Sequence, residues 1–305
     1  MPAGNVEAKF TVSQRQAGNP ALVLGYDAIK ATRRYVDSNA SSGGNGLSWD
    51  GAHLTLQAAI TASKADDIIF VAPTHAENVA TAAAITVSVA GLSIVGLGNK
   101  NRRPTFTWSG TAGTISVTAA DVLISNIVCT CSVDEVVSMW NVTGKRVTLD
   151  RVDYVETSGS QAIQFLLTTA AADDFTLQNC DHRALNVAGS AQLWIELIGT
   201  DFARIIDNYF SLVLSNNATS TAINVTTTAA IQVLIARNYI CQTGGTTQDN
   251  FISLVASTTG LVADNRIGGD VGTLAASVDL ASAYGSENYI ATTVNKSGIL
   301  DPVVA

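Results

Sequence analysis

Charge is scarce in this chain. Only 14% of its 305 residues are Asp, Glu, Lys or Arg, and aromatic residues make up 6%. Acids outnumber bases by 25 to 17, giving a formal net charge of -8 and a pI near 4.8. That balance argues against non-specific nucleic-acid binding, which needs a basic surface. It suits a solvated surface or a partner carrying positive charge. Mean hydropathy is high at +0.25, yet no run of 18 apolar residues occurs, so no membrane span is expected. No basic N-terminal start leads into an apolar core, so no secretory signal is expected. The four cysteines lack a metal-ligand pattern. Cys129 and Cys131 sit two apart, so on a strand they point the same way, which strains a bridge between them. Cys129 and Cys241 hold equivalent repeat positions four repeats apart. At roughly 4.8 Å per rung that separation is beyond disulfide reach. All four read as small apolar fillers. Phosphate loops, zinc spacings and dinucleotide fingerprints are missing as well, so neither cofactor nor metal is expected.

What the chain does have is repetition. The phrase VLIARNYIC (Val233 to Cys241) returns as ARIIDNYF (Ala203 to Phe210), LVADNRI (Leu261 to Ile267) and YGSENYI (Tyr284 to Ile290). Weaker copies are VLISNIVC from Val122, VTLDRVDY from Val147 and FTLQNCDH from Phe175. The pivots Asn126, Arg151, Asn179, Asn208, Asn238, Asn265 and Asn288 are spaced by 25, 28, 29, 30, 27 and 23 residues. A second strand-like series centres on Ile115, Met139, Phe165, Ile195, Ile223, Ile252 and Val278, spaced by 24, 26, 30, 28, 29 and 26. Two series drifting together at one period predict a solenoid of stacked coils. Abundant Ala, Thr, Val, Ser and Gly suit such stacked strands. At the pivot, Asn tolerates the left-handed conformation that turns a strand, and its amide can bond to the next rung. Arg151 breaks that ladder. Residues around the pivot, Arg237, Tyr239 and their counterparts, are where surface contacts are expected.

The coil has a prologue. Residues 1–36 carry no clear period, but Lys30, Arg33 and Arg34 form the densest basic cluster in an acidic chain. They are candidates for anchoring an acidic partner surface. A Gly/Ser/Asn loop (Ser38 to Gly51) precedes HLTLQAAITAS, in which Leu56, Ala59, Ile60 and Ser63 recur at helical spacing. Asp50 and the Thr55 region offer N-caps. Then comes a buried strand, Ile68 to Val71, closed by Pro73. The layout reads as an arm (1–36), a loop, helix and first strand (37–84), coils (85–290) and a C-terminal tail (291–305). The apolar tail is expected to fold over the last rung or into a neighbouring subunit, since solenoid ends need covering.

The order YVDSN…GGNGLSWDG…LTLQAAI…DDIIFVAP…ENV resembles the entry of right-handed parallel β-helix proteins of the pectate-lyase-like superfamily. The usual Gly and Tyr after the Pro are replaced here by Thr74, His75 and Ala76. The resemblance implies an all-β fold, a single-stranded right-handed parallel β-helix of about nine coils with a short N-terminal capping helix. It further implies a bacteriophage virion protein, non-enzymatic, of the capsid decoration or cement kind. Such a protein would be a homotrimer held on the major capsid protein or another virion protein through its N-terminal arm. The alternative is a tailspike or tail fibre that binds or depolymerises host surface polysaccharide.

Chemistry is sparse under either reading. Glycoside cleavage needs two carboxylates across a groove. Asp153 and Asp181 share a repeat position on adjacent rungs, so they should stack about 5 Å apart. Asp181-His182-Arg183 is the most reactive-looking run, and with Asp153 these residues are the catalytic candidates if the protein is an enzyme. Polygalacturonase-type motifs are represented by an Asp-Asp alone, Asp173-Asp174. Glu196, with Trp194 on the same expected face, is a candidate outward contact. His53 and His75 look isolated.

Overall fold

The computed structural model describes residues 31–41, 43–156, 160–185, 191–214, 220–242, 250–269, 278–292 and 299–300. Strands mostly of three to five residues, with longer ones at Leu123–Cys131 and Thr148–Val155, stack in parallel to give an all-β solenoid. One sheet holds eight strands, running from Ile85–Val87 through Ile115–Val117, Trp140–Val142, Leu166–Thr168, Leu193–Leu197, Thr221–Val225 and Ile252–Leu254 to Val278–Asp279. Eight strands make seven steps in this sheet, while ten strands from Arg33–Val36 to Tyr284–Ser286 pair in succession in the other. The other sheet holds 18 strands because each late coil crosses it in two pieces, such as Val233–Ala236 and Tyr239–Gln242. β-Branched and aliphatic residues at alternate positions make this possible: one side of each strand stacks on its own kind in the next coil.

Register shows how the interior fills. In the eight-strand sheet Ile115 pairs with Trp140, Trp140 with Leu166 and Leu166 with Ile195. The centres expected at Met139 and Phe165 are therefore one residue early. Both are nevertheless fully buried, because the residue preceding these short strands enters the core from the corner. A second inward column runs Phe106, Cys129, Tyr154, His182, Phe210, Ile240, Ile267, Ile290, each paired to the next. Every member is buried.

The pivots need a correction. Asn126, Arg151 and Asn179 adopt the left-handed conformation, with φ of 59°, 53° and 56°. In the later coils the left-handed residue is the one before the Asn: Asp207 (58°), Arg237 (55°), Asp264 (56°) and Glu287 (51°). Gln178 pairs with Ile206 and Asp181 with Tyr209, so Asn179 stands over Asp207, and Asn208 over Cys180. Arg151 is thus an ordinary member of the turn row. Asn208, Asn238, Asn265 and Asn288 occupy an inward row that is apolar in earlier coils, and all four are at most 3% exposed. There they form a ladder. The Asn238 Nδ2 donates to Asn265 Oδ1 (2.9 Å) and to the Ile205 carbonyl (2.8 Å), and the Asn208 Nδ2 donates to Asn238 Oδ1 (3.0 Å). Asn265 repeats the pattern on Asn288 at 2.9 Å. Full satisfaction is what lets amides occupy a core, since an unpaired one costs about 1–3 kcal/mol.

Both ends differ from a bare coil. Arg33–Val36 is a strand paired in parallel with Ile68–Val71, so residues 33–36 belong to the solenoid rather than to an arm. The loop after it covers the outer edge: Tyr35 N–H donates to Gly46 O, and His53 N–H to Tyr35 O, both at 2.9 Å. The helix Leu56–Ala62 has Thr55 as N-cap, accepting from Ala58 N–H, and buries Leu56, Ala59 and Ile60. It lies beside the first strand of the eight-strand sheet, where Gln57 Oε1 accepts from Thr86 N–H at 2.6 Å. At the far end Ile299–Leu300 pairs antiparallel with Asn288–Thr292, so these two residues lie on the last rung. No helix among the described residues is long and apolar enough to cross a membrane.

Candidate functional site

Strand alternation decides what the outer surface offers. Asp153 and Asp181 do share a rung-to-rung position, since Tyr154 pairs with His182, and both face outward. Neither is free. Asp153 pairs with Arg103 and accepts the Asp181 backbone N–H at 2.9 Å. Asp181 is gripped by the Arg183 fork, Nε to Oδ1 at 2.9 Å and Nη2 to Oδ2 at 2.6 Å.

His182 does not join them. Odd and even residues of a strand face opposite ways, so the run Asp-His-Arg sends its His into the core, 0% exposed. Its Nε2 lies 3.1 Å from the Val152 carbonyl, and its Nδ1 accepts from Trp194 Nε1 at 2.8 Å. The ring packs against Phe165 and Phe210 at centroid distances of 4.1 and 4.9 Å. Burial pushes its pKa down to about 3. The ring is therefore neutral, with both nitrogens occupied. Proton transfer to an outer-face substrate is not open to it.

Trp194 is also inside, 2% exposed, so it does not share a face with Glu196. Glu196 stays half-buried on the outer side, accepting from Gln164 Nε2 (2.6 Å) and Thr226 Oγ1 (2.7 Å). Of the basic candidates, Lys30 lies outside the described residues. Arg34 is turned onto Asp67 at 3.4 Å, while Arg33 remains exposed. His75 is not isolated: its Nδ1 accepts from Ser38 N–H (2.9 Å) and its Nε2 meets Glu77 at 3.2 Å. Glu77 in turn accepts from Leu56 N–H (2.7 Å) at the helix start. That cluster fastens the first coil to the helix, and His75 is fully buried.

The position held by Asp153 and Asp181 becomes aromatic further along. Asp181 pairs with Tyr209, Tyr209 with Tyr239, Tyr239 with Arg266 and Arg266 with Tyr289. Tyr209 and Tyr239 stack face to face, centroids 4.9 Å apart with planes within 1°. They are 42% and 40% exposed. The Tyr239 hydroxyl reaches the Cys241 thiol two residues along the strand. Open depressions run beside it, lined first by Asn179, Asp181, Arg183, Asp207 and Arg237, then by Arg237, Tyr239, Asp264 and Arg266. Within them Arg237 holds Asp207 through two bonds of 2.7 Å. The signal for this strip was the Tyr that follows Asn in three copies of the repeat. Among the described residues no group of three or more His, Cys, Asp or Glu is placed to hold a metal ion.

Neither a family model nor a curated protein matches the sequence. Among solved structures the chain is similar to a rhamnogalacturonan lyase, with a TM-score of 0.50 and 11% identity over 88% of this chain and 89% of that one. At that identity the likeness concerns the fold alone, a parallel β-helix.

Proposed function

We propose that this chain is a non-catalytic structural solenoid that acts by presenting its outer faces to a macromolecular partner. The observation carrying this reading is the fate of the Asp153, Asp181, His182, Arg183 set. The His is sealed in the core between Val152 and Trp194, and the two carboxylates are held by arginines. A groove enzyme needs an ionisable acid or base that faces substrate. The sequence resemblance gives the reading its specific form, a bacteriophage capsid decoration protein on a shell protein. Incubation with host surface polysaccharides tests the non-catalytic claim: no new reducing ends and no unsaturated products should form. Product formation that is lost in Asp181→Asn would sink it. Electron microscopy of virions then tests the location, with many copies spread over the shell expected and a few copies at the tail refuting it.

The runner-up is a tailspike or tail fibre that holds polysaccharide without necessarily cleaving it. The exposed tyrosines Tyr209 and Tyr239 beside the Arg-lined depressions favour that alternative, since aromatic rings with charged hydrogen-bonding groups are the chemistry such a ligand needs.

A further inference from the structure

We infer that the outer strip bearing Tyr209, Tyr239 and Tyr289 is a self-association surface, occupied by the same strip of a second copy of this chain. Shape is the first support. The three tyrosines are 42%, 40% and 41% exposed and stand in one column. Two residues further along the same strands, also facing outward, is a column of small residues, Ser211, Cys241 and Gly268. A ridge therefore runs beside a shelf, both parallel to the solenoid axis. A two-fold axis lying in the interface, parallel to the solenoid and midway between ridge and shelf, lays each ridge on the other copy's shelf, which is the self-complementary contact of an isologous dimer.

Charge is the second support. A chain of net charge -8 repels its own copy in general. On this strip the charges are compensated: Arg183 neutralises Asp181, and Arg237 neutralises Asp207. Arg266 lies in the Tyr column, within two residues of Asp264. A basic partner would find better complements elsewhere on the acidic body, whereas a second copy meets no excess of like charge here. Tyr and Arg are also the residue types enriched at the centres of protein interfaces. The third support is that end-to-end stacking is obstructed. The loop at Gly46 and His53 occupies the edge of the first strand, and Ile299–Leu300 pairs with the last. Lateral contact is what remains.

Size sets the strength. Three tyrosines of about 200 Å² each, roughly two-fifths exposed, offer about 250 Å², and with the shelf and flanking arginines about 500 Å² per copy. A total on the order of 1,000 Å² lies at the lower end of specific interfaces, so association should depend on concentration.

This inference goes beyond the structural reading above and is independent of virion location. Sedimentation velocity on the full chain, from about 1 to about 200 micromolar, should show a monomer passing to a dimer. Tyr239→Ser, which removes the ridge, and Ser211→Arg, which fills the shelf, should each weaken dimerisation at least about tenfold. Tyr284→Ser, in another outward row, should leave it unchanged. Circular dichroism melts establish that each variant is folded, and slower maleimide labelling of Cys241 at high protein concentration is a second readout. A monomer across the whole range overturns the inference, as does an oligomer indifferent to both variants. So does a monomer whose binding to polysaccharide is lost in Tyr239→Ser; that result would favour the glycan reading, whereas a monomer without binding would leave the non-catalytic reading standing.

Discussion

Replacing Glu156 by Gln should stabilise this protein at pH 8 and do nothing at pH 4. Glu156 follows the strand Thr148–Val155 in an inward row whose later members include Ala184, Leu212 and Gln242. It is 5% exposed. Its Oε2 accepts the Leu185 N–H at 2.7 Å, and Tyr154 Oη lies 3.5 Å away. Burial is the main cause that raises its pKa from 4.5 to about 7, with the nearby Asp134 adding to it. A shift of that size corresponds to an upper limit of about 3.4 kcal/mol. Access of solvent and counterions at this corner reduces it to about 1–2 kcal/mol. Because the folded pKa lies above the unfolded one, the stabilisation is complete below pH 4.5 and disappears as pH rises to 7. Above that the fold carries a buried charge. Gln is the natural test residue because Gln242 already does this job without charge three coils on, accepting Leu214 N–H at 3.1 Å. His182 titrates in an overlapping window with the opposite sign, so the useful quantity is the difference between variant and parent, in which His182 cancels. Melting temperatures at pH 4, 6 and 8 should differ by nothing, an intermediate amount and a few degrees. A Gln variant less stable than its parent at pH 8, or an offset independent of pH, would refute the reasoning.

Further expectations follow from the same interior. His182, whose pKa burial lowers to about 3, contributes stability that is present above pH 6.5 and lost as pH falls toward 3. His182→Gln should therefore flatten acid unfolding while costing about 1–3 kcal/mol at neutral pH, as read from urea midpoints. In the turn and ladder rows, Asp264→Gly should be neutral or stabilising by up to about 1 kcal/mol, because φ there is 56°. Asn265→Ala should destabilise by about 2–4 kcal/mol through stranded backbone and amide partners; equal effects of the two substitutions in thermal melts would contradict the assigned register. Burial pushes the thiol of Cys131 up to about 12 and those of Cys129 and Cys180 upward. In native-state labelling Cys241 should react first, and the other three only on unfolding.

Much of the scaffold was legible because its cause is periodic. A coil must bury one side of every strand, so apolar alternation and a period of 23 to 30 residues are visible without coordinates. The helix Leu56–Ala62 and the strand Ile68–Val71 were equally plain, because capping, 3.6-residue spacing and a closing Pro leave local marks. The one-residue phase errors have a different origin. Asn satisfies two demands, a left-handed turn and a buried hydrogen-bond ladder, and the sequence does not say which is in force. The same letter serves the turn at Asn179 and the ladder at Asn208. Arg33 to Val36 escaped because a four-residue strand rich in Arg looks like an arm until its partner Ile68–Val71 is placed beside it.

The conditional catalytic set divides for a reason that alternation alone could have exposed. Three consecutive reactive residues on a strand cannot share a face, so Asp181-His182-Arg183 had to divide, two outward and one inward. Which way it divides follows from the column: Tyr154 and Phe210 on either side of His182 are residues that a solenoid buries. The interior position then fixes the chemistry, because a neutral imidazole held by Val152 and Trp194 packs as an aromatic filler with two satisfied nitrogens. Polar groups inside this coil, His182, Glu156 and the four ladder asparagines, all bond to neighbouring coils. They specify stacking register. Outward residues also bridge coils, through Arg237 on Asp207 and the Tyr209–Tyr239 stack, but their exposure leaves Tyr209, Tyr239 and Tyr289 as the strip on which the second copy proposed above would sit.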